Sequence, residues 1–234
     1  MLKIVLINQP CGLGDILFCQ KIGKHYLEKG HRVVWPVIPE YSYVGEYLKD
    51  IYYPNVRDNF VGQTFYYQCR ASQTKTIQEN NNFIYVPLDG QYRGGSVMTS
   101  KYKAHNMEWN DWKDYLNIFR NEQRENKLYN ELGLEGKEYI LVNDKYGSPP
   151  NEKTKIFDIN TDKHIVRMFK TEHIFDWFKV IENASEIWSV ETVFNYLIEM
   201  IKFKAIRLEL FSKWTPSDYS HVRELFNVNW NYNT

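Results

Sequence analysis

The residues best placed to do chemistry stand near the start. Residues 2–7, interrupted only by Lys3, form an apolar run that leads into Gly12-Leu13-Gly14-Asp15. Glycine lets a backbone approach a ligand closely, and a helix start offers anions free N–H groups and a favourable dipole. Asp15 sets a carboxylate at the mouth of that turn. A plain phosphate cradle would exclude a negative charge there. The aspartate therefore points to proton removal from a hydroxyl group.

Other chemistries find less support. Gly12 and Gly14 match the first two glycines of a dinucleotide fingerprint, but Leu17 stands at the third. The second apolar run ends at Pro36-Val37 with no acid to hold a ribose. The chain lacks a G-x-S-x-G elbow, a G-x-x-x-x-G-K-[ST] loop and an H-E-x-x-H pair. Its six histidines are scattered, none at ligand spacing from another His or Cys, so no metal site is expected. There is no D-x-D pair to hold a divalent ion beside a diphosphate. Lysines and helix N-termini would have to neutralise such a group instead.

Composition narrows the class. The 234 residues suit one large or two small domains. Lys plus Arg and Asp plus Glu both number 29, so no basic field draws nucleic acid and no polybasic tail marks a membrane surface. Cys11, Cys19 and Cys69 lack C-x-x-C spacing, which argues against a disulfide framework and fits a reducing, cytoplasmic setting. The opening turns polar too abruptly for a signal peptide, and no apolar run reaches the roughly 20 residues of a membrane span. Aromatic residues make up 16%, which serves packing or supplies stacking faces for sugar rings and bases.

The elements that would position Asp15 follow from periodicity. Residues 2–7 read as a strand buried on both faces. Residues 15–29 read as one helix, with Phe18, Ile22 and Tyr26 on one face and Gly30 as its C-cap. Residues 31–37 read as a second strand, which completes a β-α-β unit and implies a parallel sheet. A short helix is expected around Tyr43–Leu48, then strands over 64–69 and 83–88 with a polar loop between them. Residues 89–106 hold Gly90, Gly94 and Gly95 and read as a long irregular loop of functional character. Trp109, Trp112, Leu116 and Phe119 recur at helical spacing, so a long linking helix is expected from an Asn110 cap to Gly133. The domain boundary is placed at its end, giving lobes 1–135 and 136–234. In the second, compact lobe, strands are expected over 138–143, 156–159, 164–169, 186–190 and 205–211, and helices over 175–184, 191–201 and 216–226. Residues 144–155 read as a loop rich in lysine and proline. The resulting fold class is α/β: two Rossmann-like lobes with parallel sheets and a cleft between them.

Residues 7–37 resemble the opening of bacterial heptosyltransferases and related two-lobed GT-B glycosyltransferases. Those begin with a strand, then G-x-G-D, a helix, and a strand ending in aromatic and apolar residues. The resemblance implies that Asp15 is the general base on the acceptor hydroxyl, with Gly14 near the donor phosphates. A second echo covers residues 183–201, where Glu191 and Thr192 stand at the family's acidic and threonine positions, before a helix that faces the donor diphosphate. Lys145, Ser148 and Lys153 match its phosphate-contacting loop. Gly12, Arg93, Gly94 and Gly95 fall on the acceptor side. Val193 and Tyr196 replace the family's usual glycine and histidine, and Glu191 its aspartate.

What the resemblance implies is an inverting, metal-independent hexosyl- or heptosyl-type transfer that needs no cofactor. Its partners would be a nucleotide-sugar donor and a carbohydrate or lipid-linked glycan acceptor. Two alternatives stay open: a catalytically silent nucleotide- or sugar-binding module, and a two-lobed nucleotide-sugar epimerase or hydrolase.

Overall fold

The computed structural model describes residues 2–91, 96–147 and 152–233. The chain divides into two compact units, Met1–Phe119 and Arg120–Thr234.

The first unit opens on β1 (Ile4–Asn8), whose apolar residues let it sit at the centre of a sheet. Two helical segments follow, α1 (Leu13–Phe18) and α2 (Gln20–Glu28), where a single helix was expected. The break at Cys19 has a local cause. The Tyr102 hydroxyl donates to the Phe18 carbonyl at 2.5 Å, and the Ile22 N–H turns to Cys19 O at 3.0 Å. A side chain inserted into the helical ladder separates the two segments. Next come β2 (Arg32–Val34), α3 (Val44–Tyr47), α4 (Gln63–Ala71), β3 (Gln78–Glu79), β4 (Phe83–Pro87) and α5 (Val97–Lys103). The sheet order is β2-β1-β4-β3, with β1 parallel to both β2 and β4, and β3 antiparallel at the edge.

Three expectations need correction here. Residues 64–69 form part of α4, not a strand: Tyr66 and Cys69, three apart, face the core while Tyr67 is exposed. Residues 89–106 are not all irregular, because Ser96 caps α5 by accepting the Thr99 N–H at 3.1 Å. No linking helix runs from 110 to 133. Trp112–Tyr115 is a 3-10 turn, and the Phe119 N–H donates to Tyr47 O at 2.9 Å, which draws the backbone out of helical register.

In the second unit, Asn121 caps α6 (Glu122–Glu131). Then follow β5 (Tyr139–Asn143), a ribbon of β6 (Lys145–Tyr146) and β7 (Lys153–Thr154), β8 (His164–Arg167), α7 (Phe178–Asn183), β9 (Glu186–Val190), α8 (Val193–Ile198), β10 (Arg207–Phe211) and β11 (Asn231–Asn233). The sheet order is β11-β10-β9-β5-β8, parallel throughout. Buried on both faces, β5 reads as the continuous apolar run its position demands.

Two further corrections fall in this unit. Residues 156–159 are not a strand: Ile156 points to solvent while the Phe157 ring stacks on Phe211, 4.3 Å between centroids. Residues 216–226 make successive turns rather than a helix, because the Tyr219 hydroxyl ties the segment to the Leu210 and Asn233 carbonyls and accepts the Ser212 N–H.

Glu209 fastens β11 to the sheet through Asn233 Nδ2 at 2.7 Å and Asn231 Nδ2 at 3.3 Å, with Arg207 Nε at 2.6 Å. Burial pushes its carboxyl up, but these donors together hold it below its ordinary 4.5. A carboxyl depressed on folding stabilises the protein above its unfolded value and loses that contribution as pH falls through the folded one. Acidification below about pH 4.5 is therefore expected to loosen β11. In thermal melts between pH 7 and pH 3, Glu209→Gln should melt a few degrees lower at neutral pH and lose less on acidification. Identical pH curves would refute this role.

Candidate active site

Strand order picks out one edge of each sheet. In the first unit β1 has its sequence successor β2 on one side and β4 on the other. In the second, β5 lies between β8 and β9 in the same way. Ligands of open α/β sheets bind outside the carboxyl ends of strands at such reversals. The two edges thus selected are β1/β4 and β5/β9.

At the first edge, β1 runs through Gln9–Cys11 into α1. Gly12 precedes α1 with φ +80° and ψ 82°, a left-handed conformation that glycine adopts without strain. A Cβ built there would stand 2.3 Å from Asp15 Oδ2, so the carboxylate occupies the space a side chain at Gly12 would need. Gly14 and Asp15 are the second and third residues of α1. Gly12→Ala is expected to cost about 1–2 kcal/mol through backbone strain alone. Displacement of Asp15 comes on top of that. Urea denaturation measures the loss, and an unchanged midpoint would contradict it.

A side chain that the sequence did not flag stands behind Asp15. Lys101 of α5 places Nζ 3.1 Å from Asp15 Oδ1, 2.6 Å from Gln9 Oε1 and 3.0 Å from Leu88 O. The lysine side chain is 2% exposed and that of Asp15 25%. Gln9 is braced in turn: Nε2 donates to Cys11 O at 2.5 Å, and its carbonyl accepts Trp35 Nε1 at 2.9 Å. Burial pushes the Cys11 thiol up, with Asp89 and Asp15 adding to the effect and Arg70 and Lys101 opposing it. The one available signal for Lys101 was the Ser96-x-x-Thr99 capping spacing just before it.

At the second edge, Asn143 ends β5. Its Nδ2 reaches Thr192 Oγ1 at 2.8 Å and Ser189 Oγ at 3.0 Å, bridging β5 and β9. Thr192 caps α8, accepting the Phe194 N–H, while its own N–H donates to Asn195 Oδ1 at 2.8 Å. Glu191 is buried, with Oε2 3.2 Å from His221 Nε2, yet neither carboxylate oxygen makes a hydrogen bond among the described residues. Asn195 Nδ2 likewise lacks a partner there. Asn143, Asn195 and His221 carried no motif by which sequence reasoning finds them.

Lys145 and Lys153 are exposed on the β6–β7 ribbon that follows β5, where Tyr146 pairs with Lys153. Arg93, Gly94, Gly95 and Ser148 lie outside the described residues. The structure thus joins Gly12, Gly14 and Asp15 on one turn, Glu191 and Thr192 at the end of β9, and the two lysines on one ribbon. A separate cavity of about 550 Å³, lined by His31, Arg32, Lys49 and Tyr52 among others, shares no residue with the Asp15 cluster. Among the described residues no group of three His, Cys, Asp or Glu side chains is placed to hold a metal ion. No helix among them is long and apolar enough to cross a membrane.

Two Rossmann-like units in one chain, each with parallel strands and polar side chains at its strand-order reversal, define an α/β fold of GT-B type. No family model and no curated protein matches the sequence. Among solved structures, the chain is similar to a glycosyl transferase family 9 protein of Veillonella parvula, with a TM-score of 0.55 and 12% identity over 99% of this chain and 88% of that one. The iron-containing dodecameric glycosyltransferase TibC of enterotoxigenic E. coli gives a TM-score of 0.47 and 13% identity over 100% and 66%. The E. coli heptosyltransferase WaaC with ADP gives 0.43 and 9% over 90% and 87%. At 12% identity the likeness to the Veillonella parvula protein is one of fold.

Proposed function

We propose that this chain is a glycosyltransferase that moves a sugar from a nucleotide-activated donor to an acceptor hydroxyl. The observation that carries this is the Asp15 carboxylate on a glycine turn at the β1/β4 edge, backed by a buried ammonium. The likeness in fold to a family 9 glycosyl transferase supports it.

In the proposed reaction Asp15 takes the proton of the acceptor hydroxyl. The oxygen forms its bond to the anomeric carbon on the face opposite the leaving group. The bond from that carbon to the diphosphate oxygen breaks, and the nucleoside diphosphate leaves with the electron pair. One displacement inverts the anomeric configuration. The acceptor, a carbohydrate or lipid-linked glycan, lies against Gly12 and the segment holding Arg93, Gly94 and Gly95. Lys145, Lys153 and Ser148 meet the charge developing on the diphosphate, with Gly14, Glu191 and Thr192 completing the donor contacts.

Nucleoside diphosphates and their sugar conjugates are expected to raise the melting temperature, because a ligand that binds only the folded state stabilises it. The conjugate should be consumed with release of diphosphate and a glycosylated product of inverted configuration. Turnover should persist in EDTA, since lysines rather than a metal carry the leaving-group charge. Failure of every sugar nucleotide tested both to stabilise the protein and to be consumed would overturn the proposal.

A further inference from the structure

Lys101 carries a buried charge whose three oxygen partners come from three places: the turn after β1 (Gln9), the residue after β4 (Leu88) and α1 (Asp15). Burying an ammonium is costly unless hydrogen bonds and an opposite charge compensate it. Here two hydrogen bonds, to Gln9 and Leu88, and the ion pair with Asp15 do so. Gln9 cannot turn its amide away, because its Nε2 is spent on Cys11 O. The lysine is itself held in α5 between Ser100 and Tyr102, both fully buried. A rigid set of contacts therefore ends on one oxygen of a partly exposed carboxylate that water could otherwise solvate. A packing staple would have no need of that ion pair.

We propose that Lys101 is the positioning residue for Asp15: its ammonium fixes Oδ1, which leaves Oδ2, lying over Gly12, to receive the acceptor proton. The assignment rests on the reading of Asp15 as the base.

Cys11 provides a readout that needs no turnover. It is exposed while Cys19 and Cys69 are buried, and the charges acting on its thiol are Asp89, Asp15, Arg70 and Lys101. In Lys101→Met, iodoacetamide should alkylate Cys11 about threefold more slowly or worse at pH 8, because a thiol beside fewer cations ionises less. Asp15→Asn should speed the reaction. A turn merely loosened by the mutation would react faster, and an unchanged rate would mean no coupling. Either result overturns the proposal. If Lys101→Met does not fold, the lysine ammonium is observed in the wild type by 15N NMR. A slowly exchanging Lys101 signal that shifts in Asp15→Asn is expected, and its absence or indifference overturns the proposal. With sugar transfer established, Lys101→Met should lower kcat by about 10²-fold at unchanged donor KM. An unaltered kcat would also refute it. A wild type that transfers no sugar overturns the glycosyltransferase reading but leaves the thiol and ammonium results to decide on Lys101.

Discussion

Asp15→Asn is expected to give a folded protein that still binds sugar nucleotide and transfers sugar roughly 10²–10⁴-fold more slowly. The amide matches the carboxylate in shape, so Oδ1 can still face Lys101 Nζ, now 3.1 Å away. It cannot take a proton from a hydroxyl. The loss should therefore fall on kcat, with donor KM little changed, because the donor contacts assigned to Lys145, Lys153 and Thr192 remain. Steady-state kinetics on purified wild type and variant decide the point. A variant that keeps the full rate removes Asp15 from the chemistry.

Trp35→Ala is expected to be the most destabilising single change in the first unit, at about 3–5 kcal/mol. Folded proteins commonly hold only about 5–15 kcal/mol in total. Trp35 is fully buried, its ring lies 6.0 Å from that of Tyr53, and its Nε1 holds the Gln9 carbonyl. The mutation opens a cavity and frees the turn that leads to Gly12. Trp35→Phe keeps most of the volume but leaves the Gln9 carbonyl without its donor, for about 1–3 kcal/mol. Urea denaturation should rank wild type above Trp35→Phe above Trp35→Ala. An alanine variant as stable as wild type would show that neither cavity nor hydrogen bond matters.

Much of this architecture was readable in the chain. The strands β1 and β5 are apolar runs because central parallel strands are buried on both faces, and such runs are hard to mistake. The Gly12–Asp15 turn was readable because a left-handed start to a helix needs glycine. Sequence and fold part where local preference and tertiary context diverge. Phe65-Tyr66-Tyr67 favours strands by residue type, yet the three-residue spacing of Tyr66 and Cys69 belongs to a helix. Tyr219, Val222 and Leu225 have helical spacing but are held by successive turns. Lys101 is illegible in the sequence for a different reason. Nothing in a lysine's neighbours along the chain announces that it is buried; its partners Gln9, Leu88 and Asp15 come from 92, 13 and 86 positions away, the last being 101 − 15.

Strand order also sets the timetable of a nascent chain. Once Pro87 has been made, β1 has both its neighbours and the first sheet can close. In the second unit β5 must wait for β9, and β9 for β10 at Arg207–Phe211, with β11 arriving last at Asn231–Asn233. Distant pairing of this kind is slow to form and leaves apolar strands open to wrong partners meanwhile. Chaperone demand and heat-induced aggregation should therefore trace to residues 139–211 rather than to the turn that carries the carboxylate.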